Sequence, residues 1–438
     1  MDKPRTKTGW LYIGAFLIVI IVAAGLRFYR LPELPVGLHY DEAANGILAG
    51  EIAQGLARPI FIPAYTGKEV AFFYWTALCM RLLGVTPLAL RLGAALIGIA
   101  TVVATVWMVY ELLYQEADAP WIALLSAGFL AVSFWHVVLS RYGFRAVGQP
   151  LFQALTVAAL WRGLRSGKKG WLLAAGCLCG LTAYTYLAAR LFPIPLGAAL
   201  MVLLITSGDE RQGRISQIAL FASVAALVLV PLAYYWLTHP GSFLVRTRQV
   251  AASTWGEAWS GLLACLRMFI LRGDPYIRFN IPYRPLFLPA AAILLIMGIG
   301  FAGWRFVELG RNSHRSSAAL SLASYTLLLG SMPVMVLPSA LATEEITPSN
   351  LRAVGLIPFV HVFPALGLFL VKSTLRRYLG RLKRRRLGWM DGRGCNLALV
   401  VLLLLVSTPV IGSAYFRDWA PSPELHRATD GDLVHVAD

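Results

Sequence analysis

Long apolar runs alternate with short polar breaks along most of this chain, and within the runs the apolar residues are nearly continuous rather than spaced along one helical face. A helix needs about 20 mostly apolar residues to cross the hydrocarbon layer, and in lipid each backbone amide must find its partner inside the segment. The pattern therefore predicts about eleven transmembrane helices. They lie near Gly9–Arg27, Leu88–Leu113, Ala119–Leu139, Val147–Leu164, Gly170–Leu187, Leu191–Thr206, Ile215–Leu237, Leu286–Phe306, Ser317–Ala340, Leu351–Val371 and Cys395–Ala414. Between them, residues 28–87 and 238–285 form two long segments on the side that the first helix reaches. In the first of these, Glu42–Leu56 and Ala71–Leu83 have helical apolar spacing but are too short or too polar to span, so they are expected to lie in the interface. The expected architecture is an all-α polytopic membrane bundle over residues 1–414, with interfacial helices in the first outer loop and a short polar tail over 415–438.

Composition agrees with this pattern. Residues AVILMFWYC make up 58% of the chain and charged residues 14%, against about a quarter charged in a soluble domain. The first apolar run follows Lys3, Arg5 and Lys7 and shows no small-residue cleavage site, so it reads as a retained helix with a cytoplasmic N-terminus. An odd number of crossings then puts the C-terminus on the extracytoplasmic side.

The net charge of +17, from 39 Lys and Arg against 22 Asp and Glu, would raise nucleic-acid binding in a soluble protein. On a membrane chain, basic residues belong in cytoplasmic loops and beside anionic headgroups, so membrane lipids are the expected partner and nucleic acid is not. Expected inner loops hold Arg162, Arg165, Lys168 and Lys169, then Arg211 and Arg214, then Arg305, Arg311 and Arg315. The last inner loop runs from Lys372 through Arg384, Arg385 and Arg386 to Arg393. One inner loop goes against the rule: Tyr114–Pro120 carries Glu116 and Asp118 and no base. The five cysteines form no disulfide framework.

Candidate chemistry gathers on the opposite, outer side. The first outer loop is kept non-helical by Pro32, Pro35 and Gly37 until Asp41-Glu42, where a helix is expected to begin. An Asp there can cap the first turn of the helix. It can also act as a general base in a partly dry interfacial cavity, with Asp41 the first candidate and Glu42, about 100° around the helix, the second. Arg141, Arg145, Arg190, Arg272, Arg278 and Arg352 all fall at outer helix ends or in outer loops, with Lys68 and Arg91 in the same layer. Singly each is a snorkelling side chain; together they suggest a site for a phosphate, which a guanidinium grips with two parallel hydrogen bonds. The loop Arg272-Gly-Asp274-Pro-Tyr-Ile-Arg278-Phe-Asn280 is dense in turn formers, and an Asp274–Arg278 ion pair is its plainest use. Tyr184 and Tyr186 end the fifth expected span and are candidates to line the same cavity. His39 and Asp41 could contribute to a divalent-metal site, but no second cluster with ligand spacing accompanies them, so no metal site is assigned and no cofactor is required. There is no P-loop, dinucleotide fingerprint or nucleophile elbow.

The order of these features resembles the membrane glycosyltransferases of the GT-C class, and within it the branch containing protein O-mannosyltransferases and lipid A aminoarabinose transferases. The resemblance rests on Asp41-Glu42, Tyr65-Thr-Gly-Lys68, Leu83-Gly84 with Leu90-Arg91-Leu92, Ser140-Arg141-Tyr142, Tyr184-Thr-Tyr186 with Arg190, Gly273-Asp274 with Arg278-Phe-Asn280, and Leu351-Arg352 with Pro358. It covers most of Gly9 to Val371 and implies a bacterial plasma-membrane enzyme. By resemblance, Asp41 would deprotonate the acceptor hydroxyl and Lys68 would contact the donor phosphate. The chain departs from the family pattern in having Glu69-Val70 where the prolines of a Lys-Pro-Pro setting stand, in lacking a carboxylate over residues 145–149, and in the short tail after Ala414. The implied function is inverting transfer of a sugar from a polyprenyl-phosphate donor to a lipid, glycan or protein acceptor. The donor phosphate would be held by Lys68, Arg141, Arg145, Arg190, Arg278 and Arg352. His39, Tyr65, Tyr184, Tyr186, Asp274 and Asn280 would line the cavity. A transporter or flippase of a lipid-linked sugar is the alternative, since it would share the cation layer.

Overall fold

The computed structural model describes residues 6–64, 67–243, 249, 251–311, 316–383 and 392–433. Helix α1 (Thr6–Phe28) leads to the first outer loop, which holds α2 (Tyr40–Ala53), a two-residue antiparallel pair β1 (Phe61–Ile62) and β2 (Lys68–Glu69), and α3 (Ala71–Leu83). Then follow α4 (Pro87–Leu112), α5 (Ala119–Ala131), α6 (Phe134–Leu139), α7 (Gly148–Ser166), α8 (Lys169–Thr182), α9 (Pro193–Thr206) and α10 (Arg211–Thr238). The second outer loop holds α11 (Trp255–Met268), which was not anticipated. It starts with a Thr254–Glu257 capping box and leaves Trp255 and Trp259 exposed, as suits a helix lying at a lipid surface. The chain ends with α12 (Pro289–Arg311), α13 (Ser316–Ala340), α14 (Val362–Lys383), α15 (Arg393–Ser413) and the short α16 (Pro423–Ala428). The architecture is the all-α polytopic bundle expected, and both short helices expected in the first loop are present.

Among the described residues, eight helices are long and apolar enough to cross a membrane, fewer than the eleven expected. The three expected spans outside this group are local departures from straight, strongly apolar helix. The third is cut at Val132-Ser133, where Ser133 takes over as N-cap of α6; the fourth, α7, is a moderately polar helix of 19 residues; the fifth stops at Thr182. Their ends nonetheless connect two opposite charged layers. In one layer Glu111 pairs with Arg162 at 3.2 Å and Arg165 at 2.7 Å, Glu116 with Arg305 at 2.6 Å, and Asp118 with Lys372 at 3.8 Å. The acidic loop that broke the charge rule is thus the counter-charge of two basic segments, and Glu111 at the end of α4 serves a third. Arg384, Arg385 and Arg386 lie outside the described residues. In the other layer sit residues 30–42, 67–69, 141–145, 184–190 and 274–284. Among the described residues, α5–α6, α7 and α8 each have one end in either layer.

Small residues let the helices touch. A Cβ at Gly298 of α12 would lie 1.8 Å from the Phe363 carbonyl oxygen of α14, and one at Gly367 would lie 2.1 Å from that of Leu294. Without a hydrophobic drive between helices in lipid, such backbone contact is a main source of association. The tail beyond Ala414 is folded rather than loose. A π-turn (Ala414–Trp419) seats Trp419 against the ring of Phe134, and Thr429 reaches back to Val36 in the first outer loop. Residues 434–438 lie outside the described residues.

Candidate active site

The segment before α2 is fixed from below. Arg91 on α4 donates to the carbonyls of Pro35 at 2.8 Å and Gly37 at 2.5 Å, and the left-handed turn at Gly37 (φ 82°) needs a residue without a Cβ. Helix α2 then begins with His39, not Asp41, as its N-cap: the His39 Nδ1 accepts the Asp41 amide at 3.0 Å. Asp41 is thereby released from capping. Its Oδ2 accepts from Arg278 Nη2 at 3.1 Å, and 32% of its side chain is exposed. Arg278 also bonds to the His39 ring and lies over the Phe279 ring at 4.8 Å. Burial and the Arg278 guanidinium bring the His39 pKa down to about 4, against the pull of Asp41 and Asp430, so His39 is a neutral acceptor.

Glu42, the second candidate base, is elsewhere. It is fully buried, and its two oxygens receive Arg91 at 3.1 and 3.2 Å and the Gly143 amide at 2.9 Å. A carboxylate with both oxygens committed in a buried pair holds α2 onto α4 and takes no substrate proton.

The hairpin brings Lys68 and Glu69 under α2. Lys68 is 4% exposed and donates to Asn45 Oδ1 at 2.9 Å, while Asn45 Nδ2 binds the Gly143 carbonyl. Burial and Arg145 bring the Lys68 ammonium down to about 8, with Asp41 and Glu69 pulling the other way. Glu69 bridges two of the expected phosphate ligands: Oε2 receives Arg145 at 3.0 Å and Oε1 receives Arg190 at 3.3 Å. Arg145 sits over the Tyr186 ring at 5.3 Å, and Arg190 lies between the Trp236 and Phe243 rings at 4.7 and 4.4 Å. Tyr184 binds Ala71 through its carbonyl and Val228 through its hydroxyl, which ties α3, α8 and α10 together. Beside this group, Ala71, Phe72, Trp75, Ile97, Leu151 and Phe152 line an apolar cavity of about 280 Å³.

Other expected residues serve the fold. Arg141 is fully buried, and its two terminal nitrogens donate to backbone: the Leu26, Arg27, Arg30 and Leu34 carbonyls at 2.8–3.2 Å, which closes the C-terminal end of α1. Arg352 is bound to Glu345 and to the Ala342 and Ile346 carbonyls. Asp274 does not pair with Arg278. It accepts the Tyr276 and Asn350 amides, each at 2.7 Å, and burial raises its pKa to about 6. Asn280 clamps the same loop through the carbonyls of Asp274 and Arg284. The hydrogen bonds of these four hold loops and helix ends together. Tyr65 lies outside the described residues. Asn45 and Glu69 were missed: an Asn inside a helix carries no signal of its own, whereas Glu69 stood at a recognised departure from the family pattern.

Residues 68–236 match the family model described as dolichyl-phosphate-mannose-protein mannosyltransferase. The match takes in Lys68, Glu69, Arg145 and Arg190 and begins after Asp41. No curated protein matches the sequence. Solved structures do. The oligosaccharyltransferase of Archaeoglobus fulgidus, in complex with Zn and sulfate, is similar with a TM-score of 0.59 at 14% identity over 92% of this chain and 52% of that one. ArnT from Cupriavidus metallidurans, bound to undecaprenyl phosphate, is similar with a TM-score of 0.52 at 14% identity over 98% and 76%. The chain spans about half the length of the oligosaccharyltransferase. At such identities the likeness establishes the fold.

Proposed function

This chain has the fold of the GT-C membrane glycosyltransferases, and on that premise we propose that it moves a sugar from a polyprenyl-phosphate donor to an acceptor hydroxyl at the extracytoplasmic face. The observation that carries the reading is one part-exposed carboxylate, Asp41, close enough to the buried Lys68 to act on its charge, with the half-buried Arg145 and Arg190 joined to Lys68's neighbour Glu69. Asp41 Oδ2 is held by Arg278, which fixes the carboxylate's direction and leaves Oδ1 to receive a proton. As the acceptor oxygen attacks the anomeric carbon, its proton passes to Asp41 and the bond from that carbon to the phosphate oxygen breaks. The charge that grows on the departing phosphate is met by Lys68, with Arg145 and Arg190 around it. Preorganised cations act where charge develops, and a phosphate needs no proton to leave, so one base suffices and the sugar is inverted. No metal is part of this reading.

Glu69 shapes the group as well. It offsets two guanidiniums, so an empty site does not hold three unopposed cations, and an arriving phosphate competes with Glu69 for both. The apolar cavity against Ala71 and Phe72 suits the first isoprene units of a lipid carrier. On this reading the N-terminus is cytoplasmic, and both the site and the tail are extracytoplasmic in a bacterial plasma membrane.

The test is transfer from radiolabelled polyprenyl-phosphate sugars to a membrane extract by purified protein in lipid. Asp41→Asn is expected to fold and bind donor normally while losing transfer by about 10³-fold or more, since it removes the base and keeps the hydrogen-bond acceptor for Arg278. Full activity in Asp41→Asn defeats the assignment. No transfer with wild type, together with label crossing sealed vesicles, points instead to a carrier.

A further inference from the structure

We propose that the C-terminal tail is a positioning element for the catalytic base, acting through Thr429 and Asp430 on the segment that carries Asp41. The proposal rests on the transferase reading above.

Three contacts join the two segments, nearly 400 residues apart in sequence. Thr429 is fully buried and shares its hydroxyl between the Leu425 carbonyl, within its own turn, and the Val36 carbonyl at 2.6 Å. Asp430 Oδ2 accepts the Tyr40 amide at 3.1 Å. That amide is the first of α2, one of the donors a helix start leaves without an intrahelical partner, and His39 already serves the next one. A carboxylate at this end also suits the positive end of the helix dipole. Gly37 is the third contact. A Cβ there would lie 2.3 Å from the Thr429 carbonyl oxygen and 2.8 Å from Gly431, so the tail sits flat on the turn that precedes Asp41.

The backbone of the tail is bent to make these contacts. Asp430 has φ 53°, a left-handed conformation that Asp tolerates better than most residues, and it turns the carboxylate back towards Tyr40. Gly431 packs against the His426 ring where a Cβ would come within 2.4 Å, which closes the turn. Trp419 anchors the other end of the tail to the loop that carries Arg278, with its indole nitrogen donating to the Ile277 carbonyl at 2.6 Å. Asp41 and its partner Arg278 are therefore both braced by the same segment: Asp41 through Tyr40 and Val36, Arg278 through Ile277. Arg91 holds residues 35–37 from below and the tail holds 36–40 from above. A hydrogen-bonded carboxylate can serve as a base only while its free oxygen stays aimed at the acceptor, and the tail fixes that aim.

Asp430→Gly keeps the left-handed turn and removes only the carboxylate, whereas Asp430→Asn keeps both the turn and an acceptor oxygen. Kinetics of sugar transfer and hydrogen exchange of residues 37–42 are measured on wild type, both variants and Thr429→Val. The proposal expects Asp430→Gly and Thr429→Val to lower kcat by about five- to tenfold, the factor that one capping contact corresponds to, with donor KM unchanged. Exchange at the start of α2 should be faster in both, and Asp430→Asn should stay within about twofold of wild type. A tail that merely adds stability would lower the folded fraction without changing kcat per folded molecule. Wild-type kcat in Asp430→Gly, or unaltered exchange at residues 37–42, overturns the proposal. Transfer by neither wild type nor variant defeats the transferase reading and this proposal together, while equal transfer by all defeats the positioning role alone.

Discussion

Burial and the Arg145 guanidinium bring the Lys68 ammonium down from the usual lysine range to about 8, so in the empty site it loses its charge over the mildly alkaline range. Because kcat/KM reports the free enzyme, its value should fall as pH rises through about 8, where the charged form is lost. Lys68→Arg keeps the charge to beyond pH 12 and should move that limb out of range, at some cost in rate because the guanidinium cannot repeat the single bond to Asn45. A pH profile of kcat/KM for both proteins checks this. Arg141 gives the opposite result. Its four carbonyl partners at the end of α1 make it a folding residue. Arg141→Met should therefore lower stability by about 3 kcal/mol or more through unpaired buried carbonyls, and leave donor KM unchanged in the protein that folds. Thermal unfolding in detergent and donor titration separate the two effects.

Helix α2 is too short and too polar to stand alone, and what keeps it at the interface is one buried ion pair. Glu42 joins it to Arg91 of α4 and to the Gly143 amide, and Asn45, one turn on, ties Lys68 to the Gly143 carbonyl. Removing one partner of a buried pair leaves an uncompensated charge, so Glu42→Gln should cost about 3–5 kcal/mol. Replacing both, Glu42→Leu with Arg91→Met, should recover much of that loss in stability while the site stays weakened, because Arg91 also fixes the turn at Gly37. A double-mutant cycle on unfolding midpoints measures the coupling. The hairpin works in the same way as an element: four paired residues are worth little as a sheet, but their register puts Lys68 opposite Ile62 and Glu69 opposite Phe61, and so delivers both to the cation group.

Across the described residues, charge separates into two layers joined by the helices of the bundle. The layer built on Glu111, Glu116 and Asp118 takes up basic residues from three other segments, while the opposite layer carries Asp41, Lys68 and the docked tail. Because Thr429 touches Val36, the tail and the loop after α1 share a face whichever way the bundle points. Cysteines introduced at exposed Glu424 and at Glu308 should therefore label from opposite sides. In sealed right-side-out vesicles an impermeant maleimide is expected to modify Glu424→Cys and to spare Glu308→Cys.

The sequence by itself determined that the chain is an all-α membrane bundle, and it drew attention to the charged residues at the helix ends, while eight of its eleven expected spans are long and apolar enough to cross among the described residues. Those follow from composition along a line: about 20 apolar residues need lipid, and stray arginines at outer ends need a reason. It also singled out Asp41 and Lys68, since a carboxylate at a helix start and a lysine in a turn-rich loop show locally. What it could not decide was the use of each charged group among its neighbours. Glu42 and Asp41 are adjacent, yet one faces α4 and is consumed by Arg91 while the other faces Arg278 and keeps a free oxygen. Arg141 and Arg145 are four residues apart, yet one caps α1 and the other meets Glu69. The acidic inner loop ran against the charge rule until Arg305 and Lys372 were brought to it. Partners separated by about 50 to 250 positions along the chain decide these cases, because a buried charge takes its role from whichever opposite charge or carbonyl the packing sets within about 4 Å of it.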